Sequence, residues 1–229
     1  SAWETGITAV FLPEFGRLMR TPQNNPHHCL NVGEHTLRAM QAVRPDKILR
    51  LTMLFHDFGK PDCASADENG MDHFHGHGAV SSKMAEEILK RLRYDNDTID
   101  RVRELVYWHD MEILPEKRAV RRAASKVGKE LFPLLLEVKQ ADLAAQSDYQ
   151  RPQKEEWLRS LHDIYEQIQE EGDCLSLKDL AVTGRDLIAA GMKPGPQLGQ
   201  TLQNLLQLVL EDPSRNSKEY LLSNLPKET

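Results

Sequence analysis

Apolar residues recur along this chain at three- and four-residue spacing almost from end to end, and no apolar–polar alternation persists beyond four or five residues. A period near 3.6 puts those side chains on one face of successive helices and leaves little from which to build a sheet, so the spacing predicts an all-α fold. Residues 7–20 carry Ile7, Val10, Phe11, Phe15, Leu18 and Met19 on one such face. Pro22 and Pro26 bracket a polar connector, and helices are expected over 32–43 and from Pro45-Asp46 to an end at Gly59. Residues 59–78 then break the pattern with Gly59, Pro61, Gly70, Gly76 and Gly78 among several aspartates. A loop of about 18–20 residues with room for a short hairpin is expected there, and connections of that length inside a domain tend to be functional. Helices resume over 78–92, 98–109, 116–127 and 129–147. A charged amphipathic helix follows Pro152 and stops before Gly172, and shorter ones are expected over 176–180, 184–190, 197–211 and 215–223.

With 40% hydrophobic and 28% charged residues over 229 positions, the chain can bury a core, as one large domain or two small ones. The formal charge of −6 excludes a globally basic nucleic-acid binder. One local exception is the stretch from Lys117 to Lys129, which holds six basic residues and no acidic one. No apolar run approaches the roughly 18–20 residues of a membrane helix. The apolar run at 7–12 lacks a preceding basic residue, so no secretory signal is expected, and the start at Ser1 rather than Met hints at a processed product. Cys29, Cys63 and Cys174 form no close pair, which argues against a disulfide framework and for a reducing cytoplasm.

Eight of the nine histidines fall between residues 27 and 109, which directs attention to metal or acid–base chemistry. His56-Asp57 ends an apolar helix and can offer an imidazole and a carboxylate to one ion, while the second carboxylate oxygen can reach another. His35 in the preceding helix, His77 at the start of the next and His109 at the end of the one after have matching chemistry. Asp142 interrupts the apolar run Ala141-Asp142-Leu143-Ala144-Ala145, where a buried carboxylate needs a partner that a metal would supply.

The order His35, His56-Asp57, His77, His109, Asp142 resembles the HD superfamily of metal-dependent phosphohydrolases at all six positions. Further segments resemble bacterial CCA-adding tRNA nucleotidyltransferases. These are Gln23-Asn24-Asn25-Pro26-His27-His28, His56-Asp57-Phe58-Gly59-Lys60-Pro61, Phe74-His75-Gly76-His77, Gly184-Arg185-Asp186-Leu187 and Pro194-Gly195-Pro196. The resemblance covers nearly the whole chain. It implies a helical lead-in at 1–25, an HD-type helical bundle at 26–150 and a C-terminal helical extension at 151–229. The full enzymes of that family also carry a nucleotidyltransferase domain with a Gly-Ser turn and an Asp-x-Asp pair. Here there is no Gly-Ser dipeptide, and Asp95-Asn96-Asp97 reads as a helix cap, so the chain resembles the C-terminal half and is not expected to add nucleotides alone.

The resemblance implies one or two divalent ions. His35, His56, Asp57 and Asp142 would hold the first, and His77, His109 and the second oxygen of Asp57 the other. Mixed imidazole and carboxylate suits Mn, Fe, Co, Ni or Zn better than Mg. On this reading the chain is an HD-type metal-dependent phosphohydrolase acting on nucleotides or RNA ends, with 2′,3′-cyclic phosphates and 2′-nucleotides among the substrates. Asp57 and Lys60 would be catalytic. Lys60, His28, Arg118, Arg121 and Arg122 would contact phosphate or RNA. The alternative is a tRNA-docking module of a CCA-adding or poly(A) polymerase-type protein with a structural metal site. A di-iron oxygenase is a third possibility for the same ligands.

Overall fold

The computed structural model describes residues 3–226. The protein is all-α, and the sheet among the described residues is a single two-stranded hairpin. The chain divides into two compact units that alternate along the sequence. One comprises Ser1–Glu112 with Pro133–Arg159, the other Ile113–Phe132 with Ser160–Thr229.

In the first unit, the helical face expected over 7–20 is split into α1 (Thr8–Phe11) and α2 (Phe15–Leu18). Pro13 has no N–H and disfavours helical geometry at Leu12, which caps α1 with φ −140° and ψ 60°. Helix α3 (Val32–Ala42) starts from a reciprocal capping box: Asn31 accepts from the Glu34 N–H while the Glu34 carboxylate accepts from the Asn31 N–H. Asp46 caps α4 (Lys47–Phe55) through the Leu49 N–H. The expected loop at 59–78 contains a one-turn helix, α5 (Lys60–Cys63), and a hairpin of β1 (Ser65–Ala66) and β2 (Asp72–His73), antiparallel with Ser65 opposite His73. Gly76, at φ 77°, turns the chain into α6 (His77–Arg91). Asp95 caps α7 (Asn96–Trp108), as the cap reading of Asp95-Asn96-Asp97 requires. Helix α6 packs along α7, and α4 packs against both α3 and α7.

The helix at 117–127, α8 (Lys117–Val127), belongs to the second unit. It is followed by α9 (Phe132–Ala145) and α10 (Arg151–Glu170). From Pro133 on, α9 returns to the first unit and completes a core in which Val138, Ala141 and Ala145 meet Ala39 and Val43 on one side and Leu49 and Met53 on the other. The second unit is completed by a 3-10 turn (Leu177–Asp179), α11 (Gly184–Ala189), α12 (Pro196–Glu211) and α13 (Lys218–Ser223). Helix α12 is its centre, touching α8, α11 and the 3-10 turn and burying Leu205, Leu206, Val209 and Leu210. No described helix is long and apolar enough to cross a membrane.

Candidate metal centre

The six residues singled out in the sequence come together in the first unit. His35 projects from the buried face of α3, and His56 caps the C-terminus of α4 with Asp57 in the turn beyond it. His77 opens α6, His109 caps α7, and Asp142 comes from α9. Gly59 allows this convergence, because a Cβ there would lie 2.7 Å from the His77 carbonyl and 2.8 Å from the Ser81 N. Its own N–H donates to Ser81 Oγ at 2.8 Å, tying the His-Asp turn to the first turn of α6.

The imidazoles are oriented alike. Nδ1 of His56, His77 and His109 lies 2.7–2.8 Å from the main-chain carbonyl three residues earlier, those of Met53, Phe74 and Val106. Nδ1 of His35 faces the Ala145 carbonyl at 3.4 Å. A carbonyl can only accept, so each Nδ1 carries the proton and each Nε2 turns inward as an acceptor. These acceptors then face one another. His35 Nε2 lies 3.3 Å from His56 Nε2 and 2.8 Å from Asp142 Oδ1, and His77 Nε2 lies 3.1 Å from His109 Nε2. Acceptors at such distances repel unless a cation or a proton stands between them.

The donors sort into two trios, His35 with His56 and Asp142, and Asp57 with His77 and His109, the ligand atoms of each lying within 4.8 Å of one another. Metal bonds of about 2.0–2.2 Å to nitrogen and oxygen require ligand atoms roughly 3–4 Å apart, so either trio fits a divalent ion with little adjustment. Asp57 lies between them. Its Oδ2 is 3.2 Å from His56 Nε2 and 3.7 Å from His35 Nε2, while Oδ1 is 3.4 Å from His77 Nε2 and 3.8 Å from His109 Nε2. Oδ2 is buried and makes no hydrogen bond of good geometry, and its nearest partner is the Lys60 ammonium at 2.8 Å.

The electrostatics agree with that reading. Burial alone would raise the Asp57 carboxyl, but the neighbouring charges of His56 and Lys60 outweigh it and hold the group well below the usual carboxylate range. Burial opposes charge on His56 as well, yet Asp57 and Asp142 carry it up to about 10. Burial, with repulsion from His56 and His77, pushes His109 down to about 3. The two carboxylates therefore favour positive charge at His56, while His109 stays neutral.

Several residues around the trios were not singled out in the sequence. Gln146 Nε2 donates to Asp142 Oδ2 at 2.9 Å, and Lys154 holds Gln146 in turn at 2.7 Å. Lys139 Nζ donates to the carbonyls of His109 and Met111 at 2.8 and 2.7 Å, closing the end of α7. Gln146 lies one helical turn past Asp142, so its reach was legible from spacing alone; the role of Lys139 needs two distant segments brought together.

The other expected site residues divide. Lys60 is only 6% exposed and bonded to both Asp57 Oδ2 (2.8 Å) and Gln23 Oε1 (2.7 Å), the position of an internal counter-ion. His28 sets its ring edge-on to His35 at 4.9 Å, and burial lowers its pKa to about 3. Both border a cleft of about 370 Å³ that reaches His77, Phe74 and Asp110. His75, a neighbour of His77 in sequence, is exposed and stacks on His73. Arg118, Arg121 and Arg122 lie in the second unit. Arg121 is 6% exposed and donates to Asp173 and to the Leu210 and Glu211 carbonyls, so it closes the end of α12 and offers no guanidinium to solvent. Arg118 and Arg122 pair with Glu211 and remain more than half exposed.

An all-α protein with paired His/Asp trios and a second helical unit that carries the basic helix α8 is the class that the geometry defines. Comparison with known proteins narrows it. Residues 76–225 match the tRNA nucleotidyltransferase domain 2 family, and the chain belongs to that family. Among curated relatives it is 34% identical over 213 residues to the CC-adding tRNA nucleotidyltransferase of Thermus thermophilus, an alignment covering 90% of this chain and 47% of that protein. It is 28% identical over 214 residues to the A-adding tRNA nucleotidyltransferase of Deinococcus radiodurans, covering 88% of this chain and 48% of the relative. The chain thus spans about half the length of these relatives. The expectation of an HD-type phosphohydrolase is corrected by these matches. The relatives are named for adding nucleotides to tRNA, and the catalytic roles assigned to Asp57 and Lys60 in hydrolysis fall with that activity. The sequence pattern misled because a set of metal ligands specifies an ion, and the same ion can serve structure as well as reaction.

Proposed function

We propose that this chain is the tRNA-docking part of a nucleotidyltransferase-type protein, with an HD-type helical bundle whose metal site is structural. The observation that carries this reading is family membership over residues 76–225 together with relatives named for acting on tRNA. His35, His56 and Asp142 hold one divalent ion, and Asp57, His77 and His109 hold a second. The inward-facing Nε2 atoms support this, because an ion converts their repulsion into bonds that pin α3, α4, α6, α7 and α9 to one point. Lys60 neutralises the charge that Asp57 retains. The exposed guanidiniums of Arg118 and Arg122 supply phosphate contacts on the one strongly basic helix of an acidic chain.

The test is tRNA binding by fluorescence anisotropy at about 0.15 M salt, where screening suppresses non-specific attraction. The chain should bind tRNA clearly more tightly than an acidic protein of equal charge does, and equal binding would sink the docking reading. The metal assignment has its own readout. The purified chain should retain divalent metal by elemental analysis and lose about half of it in Asp57→Asn, whereas unchanged content would remove Asp57 from the ligands.

A further inference from the structure

The second unit contains a groove of about 640 Å³, well within the roughly 300–1,000 Å³ of small-molecule sites. Its walls differ in chemistry. Helix α8 contributes Arg122 and Lys126, one turn apart and of one sign. Opposite, α12 contributes Gln203 and Gln207, also one turn apart, which are exposed and have no hydrogen-bond partner among the described residues. Between them Leu206 and Leu210 of α12, with Leu175 from the segment after Asp173 and Leu177 from the 3-10 turn, supply an apolar floor.

We propose that this groove binds one unstacked nucleotide of a single-stranded RNA segment. The assignment rests on the tRNA reading above for its class of partner and on the groove for its mode. Two amides a helical turn apart present donors and acceptors together, which is what the edge of a splayed-out base requires. Leu177, 37% exposed, packs on a face of the base above the buried leucines, and the cation pair meets the adjoining phosphate. Arg122 is paired with Glu211 in the structure, so its contact with phosphate exchanges one anion for another. Charge complementarity selects an anion, since the charged residues that line the groove are Arg122 and Lys126 and no carboxylate is among its lining residues.

The experiment uses the full chain, a fluorescently labelled single-stranded RNA hexamer, a short RNA duplex and intact tRNA. Gln203→Leu with Gln207→Leu should weaken hexamer binding about tenfold and leave duplex binding within about twofold, because a base edge left unpaired loses the discrimination of a bidentate contact. Both glutamines are exposed, and an unchanged circular dichroism spectrum confirms that the variant folds. A hexamer carrying 4-thiouridine should cross-link to peptides containing residues 175–177 or 203–210. If tRNA binds but the double substitution leaves the hexamer unaffected and cross-links map elsewhere, the groove assignment is overturned and the docking reading stands. If the hexamer binds in the groove and tRNA does not bind at all, the docking reading fails and the groove assignment stands; if neither RNA binds, both fail. Self-association abolished by the same substitutions would give the groove to a second copy of the chain and overturn the assignment.

Discussion

His56, His77 and His109 each donate Nδ1 to the carbonyl three residues earlier, at the helix ends of α4 and α7 and in the turn into α6, so local backbone turns these three Nε2 atoms inward. Gly59 is the residue on which the convergence depends. Gly59→Ala places a methyl group against main-chain atoms of His77 and Ser81 that have no room to yield. It should destabilise the protein by about 1–3 kcal/mol in urea unfolding and lower its metal content. Cys174 and Cys29 differ in a way that chemistry can read. Burial, with the charge of Asp179, raises the Cys174 thiol to about 11, while Cys29 is exposed. At pH 8 iodoacetamide should label Cys29 readily and Cys174 only after unfolding, as peptide mass spectrometry can check. Asp95 provides a pH test. Hydrogen bonds from the Thr98 N–H and hydroxyl lower its pKa from 3.8 to about 2. The folded value lies below the unfolded one, so its stabilisation is complete above pH 4 and fades as pH falls through about 2. Asp95→Ala should lower the thermal midpoint by about 2–4 °C at pH 7, and the gap from wild type should close in acid. At this scale the six residues that the structure gathers into two trios were legible because metal-binding residue types are few. Their supporting partners, Gln23 on Lys60 and Lys139 on His109, were not, because glutamine and lysine are common and nothing local singles them out.

Helix ends are where the elements reveal their dependence on one another. Helix α7 ends in a turn whose His109 and Met111 carbonyls are satisfied by the side chain of Lys139 from α9. Lys139→Met leaves both carbonyls without that donor and should cost about 1–3 kcal/mol, seen as a lower urea midpoint. Helix α12 ends under Arg121, whose pairing with Asp173 is almost fully buried. Arg121→Met strands the Asp173 charge and should cost about 3–5 kcal/mol, while the double variant with Asp173→Leu should recover most of that loss. The helical period located nearly every helix, and capping residues such as Asn31, Asp46 and Asp95 marked their starts. The break between α1 and α2 was missed because the apolar face runs on through Pro13, although proline stops the helix there. The inward turn of Arg121 was missed because helical neighbours in a basic run look equivalent until something packs on one side.

Across the whole molecule, ion binding and charge make separate demands. Saturating one trio at about a hundred times the dissociation constant should stabilise the folded chain by about 2.7 kcal/mol, raising the thermal midpoint by about 5–10 °C, and a chelator should reverse the shift. A net charge of −6 repels RNA at long range, so tRNA binding has to rely on local contacts. Raising salt from about 0.05 to 0.2 M should therefore weaken it by at least about tenfold, measurable as a straight line of log affinity against log salt. The sequence by itself determined the all-α class, the helix positions and the identity of the six donors, because each is written in local period or in residue chemistry. Only the tertiary structure decided that 117–127 groups with the C-terminal helices while 133–159 returns to the first unit. It also decided that the donors divide into two trios about Asp57, and that Arg121 faces inward beside an outward Arg122. Those outcomes depend on which apolar faces bury one another across long separations, and a helical face records that it must be covered without recording by what.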